Sequence, residues 1–324
     1  MAEIRQAGEI TFPAVPTDIA SEDITCDASS PAVSRELVAD RRSLPSFFVI
    51  GPPRTGSTWL HQVLSRYTLL PSPSKETRFF DTHFHRGMKW YLAHYANWDE
   101  QRRIGEVAPT YFASAVARER IAEIVPAAKI ICVFRNPVER VFSLYRLKRA
   151  YGMIRWSFEQ AIERDPELME SSRYASTLKL WQGSFGASNV LACIYDDLRE
   201  SPQSFANSLV DFIEVPRFEL AASQCALAHD SEGMTDPRSY LRTRSATVMA
   251  DWLKARRMDR MVAAFKGSRL RKLVLGGGPP LPQLPAEVSK RLYEMFRPEV
   301  EELEEMTQRD LSRWKFQKTA QAKA

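Results

Sequence analysis

The stretch Ser46–Leu60, SFFVIGPPRTGSTWL, constrains the chain more than any other. It runs from apolar residues through a turn bounded by glycine and proline into small hydroxyl residues that open a helix. This order predicts a strand, an anion-cradling loop and a helix N-terminus. Gly51 and Gly56 permit tight or left-handed backbone, so successive amide N–H groups can converge on an anion that the helix dipole also favours. A nucleotide phosphate is the guest this pattern predicts.

The spacing is close to the nucleoside-triphosphate loop G-x-x-x-x-G-K-[ST], but Ser57 stands where that loop has lysine. The lysine normally reaches the β- and γ-phosphates, and its absence argues against an ordinary NTPase or kinase. The cation here is Arg54, two residues before Gly56, whose planar fork suits phosphate or sulfate oxygens. The plain alternative is an ordinary strand-to-helix turn carrying an exposed arginine.

A second anion site is legible further on. Lys129–Phe134, KIICVF, is a short continuous apolar run, the form of a strand buried on both faces of a parallel sheet. It ends in Arg135-Asn136-Pro137, and Pro137 suits the first turn of a helix. Ser143, eight residues after Arg135, then projects from the second turn of that helix. Both side chains can meet one phosphate at the carboxyl edge of the sheet.

These stretches resemble the sulfotransferases that use 3′-phosphoadenosine 5′-phosphosulfate (PAPS). Pro53–Trp59 is similar to their 5′-phosphosulfate loop, P-K-x-G-T-[ST], with Arg54 in place of the common lysine. The run R-N-P-V-E-R-x-x-S-x-Y from Arg135 resembles their 3′-phosphate site. The segment Lys75-Glu76-Thr77-Arg78-Phe79-Phe80-Asp81 resembles the K-E-x-x-[FH]-F-D motif of heparan-sulfate-type members, with Arg78 where histidine is frequent. Gly105–Phe112, GEVAPTYF, resembles an acceptor-side segment, with Ala108 at a usual hydroxyl position.

The resemblance implies an α/β fold, a P-loop-like three-layer domain with a central parallel sheet flanked by helices. It implies cofactor contacts from Arg54, Thr55, Gly56, Ser57, Thr58, Trp59, Arg135 and Ser143. Glu76 becomes the catalytic base with Lys75 its accompanying cation, Arg54 with the amides of Thr55 to Thr58 the group that stabilises charge building on the leaving phosphate, and Glu106 a residue that orients base or acceptor. Small-molecule members use a histidine base, which makes His83 the reserve candidate. From the residues alone, Lys75-Glu76 also reads as a surface ion pair and His83 with His85 as polar loop residues.

A 324-residue chain with 44% hydrophobic residues can bury a large core. Its net charge of +5 suits an anionic cofactor or acceptor, while being too mild and scattered to indicate nucleic acid. Cys26, Cys132, Cys193 and Cys225 have no metal-ligand spacing, and the mechanism implied by the resemblance requires no metal. The first thirty residues carry Glu3, Asp18, Glu22 and Asp23 instead of a basic, then apolar, leader, and no stretch has the length of a membrane span. The expectation is a cytoplasmic, bacterial-type protein with no membrane partner.

Residues 1–44 read as a partly ordered extension, 45–215 as the PAPS-binding core, and 216–324 as a helical part completing the domain and its adenosine and acceptor pockets. Asp236–Ser239 and Lys266-Gly267 are the candidates for the loop closing on adenosine. Gly276–Pro280 reads as a flexible break before a last amphipathic helix, Ala286–Met306. Asp196-Asp197 after the apolar run Asn189–Tyr195 admits a magnesium-binding reading, but a helix cap is the better account.

Sulfuryl transfer from PAPS to a hydroxyl or amine of a small-molecule or glycan acceptor, by in-line displacement, is the function these features favour; PAP would be the second product. A P-loop NTPase or kinase and a catalytically degenerate nucleotide-binding module remain the alternatives. The sequence names neither the acceptor nor the oligomeric state.

Overall fold

The computed structural model describes residues 44–95, 102–225, 235–256, 258, 261 and 277–316. Of the N-terminal extension only Leu44 lies among them, and Lys266-Gly267 and Cys26 lie outside the described residues. Strand β1 (Phe47–Val49) feeds the loop and helix α1 (Ser57–Leu64). Next come a single widened π-type turn (Phe79–His83), helix α2 (Gly87–Leu92), strand β2 (Gly105–Val107) and helix α3 (Ala115–Ile124). Strand β3 (Lys129–Phe134) leads into α4 (Pro137–Ala150), α5 (Phe158–Arg164), α6 (Pro166–Glu170) and α7 (Tyr174–Phe185). Strand β4 (Val190–Ile194) passes directly into α8 (Tyr195–Glu200), then α9 (Pro202–Phe212). Strand β5 (Thr235–Pro237), α10 (Tyr240–Ala255), β6 (Gly277–Pro280) and α11 (Ala286–Thr307) follow.

The four-stranded sheet has the order β2-β1-β3-β4, all parallel, with Phe47 opposite Gly105 on one side and Lys129 on the other. Alternation within the strands covers both faces. Phe48, Ile130, Cys132 and Phe134 enter one cluster with residues of α2, α3, α7 and α11. Phe47, Val49, Ile131 and Val133 enter another with α1 and α9. Helix on sheet on helix is the three-layer arrangement expected when continuous apolar strands must be buried on both sides. Val300 and Leu303 of α11 lie in the same cluster as Phe48, so the C-terminal helix is part of the sheet's own core. A third cluster joins α4, α5, α6 and the start of α11.

Local chemistry sets the element ends. Asn136 caps α4 by accepting from the amides of Val138 at 3.0 Å and Glu139 at 3.3 Å, and Pro137 fills the first helical position, where a missing N–H costs nothing. Three expectations are corrected. Gly277–Pro280 is not a break but a strand pairing antiparallel with β5; a Cβ on Gly278 would lie 2.4 Å from the Asp236 carbonyl oxygen, so the glycine permits the approach. Asp197 is not a cap: α8 and α9 begin after Ile194 and Ser201 without a side-chain capping bond, and Asp197 instead takes both guanidinium nitrogens of Arg309 at 2.6 and 2.7 Å. The helix after the loop, which the sequence leads one to expect from Thr58 to about Tyr67, spans Ser57–Leu64.

The loop leaves β1 pressed against β3. A Cβ on Gly51 would fall 2.4 Å from the Val133 amide nitrogen, a backbone atom that cannot swing aside. Gly51→Ala is therefore expected to destabilise the fold by about 3 kcal/mol, read as a lowered urea midpoint with an unchanged slope.

Candidate functional site

The loop and the start of α1 form a cradle. Gly56 sits at φ 94° before the helix, where a Cβ would meet Tyr195 and Leu198 side-chain atoms at 3.1 Å. Among the described residues no side chain caps α1, and no acid occupies its first turn, so the N-terminal amides that lack helical partners remain available to an anion. Thr55 is buried with its hydroxyl turned inward, donating to the Pro52 carbonyl at 2.8 Å; it shapes the loop. Arg54 adopts left-handed backbone at φ 79°, a conformation a β-substituted residue keeps only where its surroundings impose it. Its Nε donates to Ser143 Oγ at 3.0 Å, across from β1 to α4.

Lys75 and Glu76 reach the same cradle from the segment after α1. Lys75 Nζ donates to Ser57 Oγ at 3.2 Å and lies 3.4 Å from Glu76 Oε1. The carboxylate, the ammonium and the first residue of α1 thus form a continuous chain of polar contacts. Glu76 is neither buried nor free in solution, with 27% of its side chain exposed.

Behind Glu76 the backbone is fastened by a buried carboxyl. Glu106, on β2, accepts from the Thr77 amide at 3.0 Å and the Thr77 hydroxyl at 2.6 Å through Oε1. Its Oε2 accepts from the Tyr91 hydroxyl at 2.8 Å. Burial raises the Glu106 pKa to about 7, opposed by the Thr77 and Tyr91 hydrogen bonds and reinforced by the charge of Glu76. Burial also pushes up the phenols of Tyr91, Tyr95 and Tyr111 around it.

At the β3 edge, Arg135 is closed onto Glu139 at 3.0 Å and lies over the Tyr195 ring, 5.2 Å from its centroid. Ser143 is buried except for its approach from Arg54.

Residues 44–260 match the family model described as the sulfotransferase domain, about two thirds of the chain. The chain belongs to the sulfotransferase domain family. It is similar to human bifunctional heparan sulfate N-deacetylase/N-sulfotransferase 2, 30% identical over 211 residues that cover 57% of this chain and 23% of that protein. The corresponding enzyme 1 of Caenorhabditis elegans is 26% identical over 197 residues, covering 55% and 23%. The chain thus spans less than a quarter of the length of these curated relatives. Among solved structures, a sulfotransferase from Alicyclobacillus acidocaldarius superposes with a TM-score of 0.62 at 18% identity, covering 84% of this chain and 99% of that one, a likeness of fold.

Within this sulfotransferase fold the predicted residues are not all together. Arg54, Gly56, Ser57, Lys75, Glu76 and Ser143 converge, and Thr58 is exposed beside them. Arg135 is near, through Tyr195, which also borders Gly56. Trp59 points into the core, packed edge-on against Phe205 with its indole N–H on the Gln224 carbonyl. His83 packs on Trp90 and His85, and no hydrogen bond among the described residues joins it to the loop, Lys75 or Glu76. Its pKa is lowered first by burial and then by Arg86, Arg78 and His85. Asp236 is locked to Arg149 at 2.6 and 2.7 Å, toward the C-terminal end of α4 and away from Arg135. Lys148 pairs with Asp165 and Glu167, and Arg140 is fully buried against Ser172 and Leu168; neither is part of a solvated basic face.

Two neighbours were missed in the sequence. Tyr195 reads there only as a strand end. His61, one turn after Ser57, carries the detectable signal of i,i+4 spacing; burial, then the Lys75 charge, lowers its pKa to about 4, and its buried Nε2 has no hydrogen-bond partner among the described residues. Among the described residues no cluster of His, Cys, Asp or Glu has the arrangement of a metal site, and no helix is long and apolar enough to cross a membrane.

Glu106 gives stability a distinctive pH dependence. The folded state holds its proton more tightly than the unfolded chain, where the carboxyl titrates near 4.5, so stability should fall as pH rises from about 4.5 to about 7 and then level off. The loss is on the order of 3 kcal/mol. Denaturant titrations across pH 5–8 should show this slope in the wild type and not in Glu106→Gln.

Proposed function

We propose that this chain transfers the sulfuryl group of PAPS to a hydroxyl or amine of an acceptor. The observation that carries this reading is the Arg54–Ser143 hydrogen bond. It joins a loop suited to a 5′-phosphosulfate with a helix position suited to a 3′-phosphate, as a nucleotide phosphorylated at both ends requires. The cradle fits such a group: Gly56 leaves it open where a Cβ would press on Tyr195, and the α1 amides lack a capping side chain. Arg54, Gly56, Ser57 and Thr58 would hold the 5′ end, and Arg135 and Ser143 the 3′-phosphate. Trp59, turned into the core, would act by packing the helix.

PAPS supplies an activated sulfuryl group whose bond to the 5′-phosphate oxygen breaks as the acceptor atom bonds to sulfur. Glu76 takes the acceptor's proton, and Thr77, held by Glu106, fixes the backbone from which that carboxylate reaches. Lys75, between Glu76 and Ser57, places a positive charge where negative charge builds on the leaving phosphate; Arg54 adds a second. The Lys75 ammonium thus stands beside the helix start, where a nucleoside-triphosphate loop carries its lysine and this chain has Ser57. The acceptor is a glycan or a small hydroxylated or amino metabolite, in keeping with the heparan sulfate and N-sulfotransferase named in the curated relatives. Residues 45–215 supply the donor site and 216–324 complete it. A cytoplasmic setting keeps the buried thiols Cys132 and Cys193 reduced.

The NTPase reading loses support from β4, because both carboxylates there are engaged, Asp196 by the Trp314 indole N–H at 2.7 Å and Asp197 by Arg309. Calorimetry with PAP, ADP and magnesium-ATP tests the choice. Tight PAP binding that needs no magnesium, with weak ADP, is expected; a preference for magnesium-ATP would return the loop to the NTPases. Glu76→Gln is expected to abolish sulfation while keeping PAP affinity, and retained turnover would remove Glu76 as the base.

The 3′ site carries its own competitor, since Glu139 already occupies Arg135. Arg135→Ala should weaken PAP but not ADP. Glu139→Gln should tighten PAP roughly fivefold, about 1 kcal/mol, by freeing the guanidinium; unchanged affinity would place the 3′-phosphate elsewhere.

A further inference from the structure

Helix α10 presents its small residues to the protein and its large apolar residues to solvent. Thr243 is fully buried, and the Thr247 hydroxyl donates to the Tyr151 carbonyl at 3.1 Å. Facing out are Leu241 (79% exposed), Val248 (51%), Met249 (56%) and Trp252 (45%). At helical spacing these four fall within an arc of roughly 100°, with Arg244 along one border and Arg242 along the other. Arg256 lies over the Trp252 ring at 3.9 Å, and the exposed apolar run continues in Met258 and Met261.

No ion pair among the described residues joins Arg242, Arg244 or Arg256 to a carboxylate, a condition they share with other exposed cations such as Arg155, Arg164 and Arg291. Residues 242–272 contain ten Lys and Arg against two Asp, in a chain whose net charge is only +5. Along the sequence, positive charge is therefore concentrated in residues 242–272, and the remainder is acidic on balance.

We propose that α10 docks the protein on an anionic lipid bilayer surface. Leu241, Val248, Met249 and Trp252 would enter the headgroup boundary while the bordering arginines meet lipid phosphates. A symmetric contact with a second copy would set these arginines against themselves. A soluble polyanion would use the arginines but leave the apolar arc unused. The expectation of no membrane partner rests on the lack of a spanning helix, and a helix lying in the interface needs none. The inference is independent of the reaction proposed above, since its readout is lipid binding alone.

The test is co-sedimentation of the full chain with vesicles of phosphatidylcholine alone or containing roughly one third phosphatidylglycerol, at low and high salt. Binding to the anionic vesicles only, weakened by salt, is expected. Trp252→Ser with Val248→Ser, and separately Arg242→Glu with Arg244→Glu, should each lose about tenfold or more in partitioning. Their melting temperature and PAP affinity should stay unchanged, because all four side chains are exposed. Equal binding to neutral vesicles, or undiminished binding in either variant pair, would overturn the proposal. So would two outcomes in the absence of vesicle binding: capture of dextran sulfate through Arg242 and Arg244 regardless of Trp252, or self-association abolished by Trp252→Ser.

Discussion

Parallel pairing of β1 with β3 is the constraint on which the rest depends. The two strands share register from Phe47 opposite Lys129 to Val49 opposite Ile131, and the Ile50 amide extends the ladder to the Ile131 carbonyl. Because the strands run the same way, the turns that follow them emerge at one edge. The anion loop and the start of α4 are therefore neighbours although Arg54 and Ser143 are 89 residues apart in the chain. The same pairing explains Gly51, whose Cα passes so near the Val133 backbone that no side chain fits. An α/β sheet buried on both faces offers side chains little room except at this carboxyl edge, and the polar groups gather there.

Electrostatics at that edge is a matter of shared partners. Arg135 is held by Glu139, Lys75 by Glu76 and Ser57, and Arg54 by Ser143. Positive charge is thus stored in short, partly exposed contacts that an anionic guest can join or replace. Glu106 belongs to a different regime. It is fully buried among Thr77, Tyr91 and Tyr111 and satisfied by donors and not by a cation; burial raises its pKa and the donors oppose the rise. It anchors backbone, whereas the partly exposed groups lie open at the sheet edge.

Much of this was legible in the sequence. KIICVF reads as a doubly buried strand because every position is apolar after the first, and Pro137 marks a helix start through its own backbone chemistry. The loop is legible because glycines at fixed spacing leave few other conformations. Other features were not legible for equally physical reasons. Nothing local distinguishes a glycine-rich break from a strand, and Gly277–Pro280 becomes β6 only because β5 lies beside it. The acids after β4 look like helix caps or metal ligands until Arg309 and Trp314 return from more than 100 residues away.

The sequence by itself determined the layer architecture, the turns that follow β1 and β3, and the identity of Lys75 and Glu76 as a charged pair, since each rests on backbone preference or on side chains adjacent in the chain. Only the tertiary structure decided which of these meet. Chain crossings of 18 residues for Lys75 and Ser57, 29 for Thr77 and Glu106, and 89 for Arg54 and Ser143 are set by packing of helices on the sheet. Packing also turned Trp59 inward, kept His83 at Trp90, and left the large side chains of α10 outside, because burial of a helix face depends on what lies opposite it and not on its own residues alone.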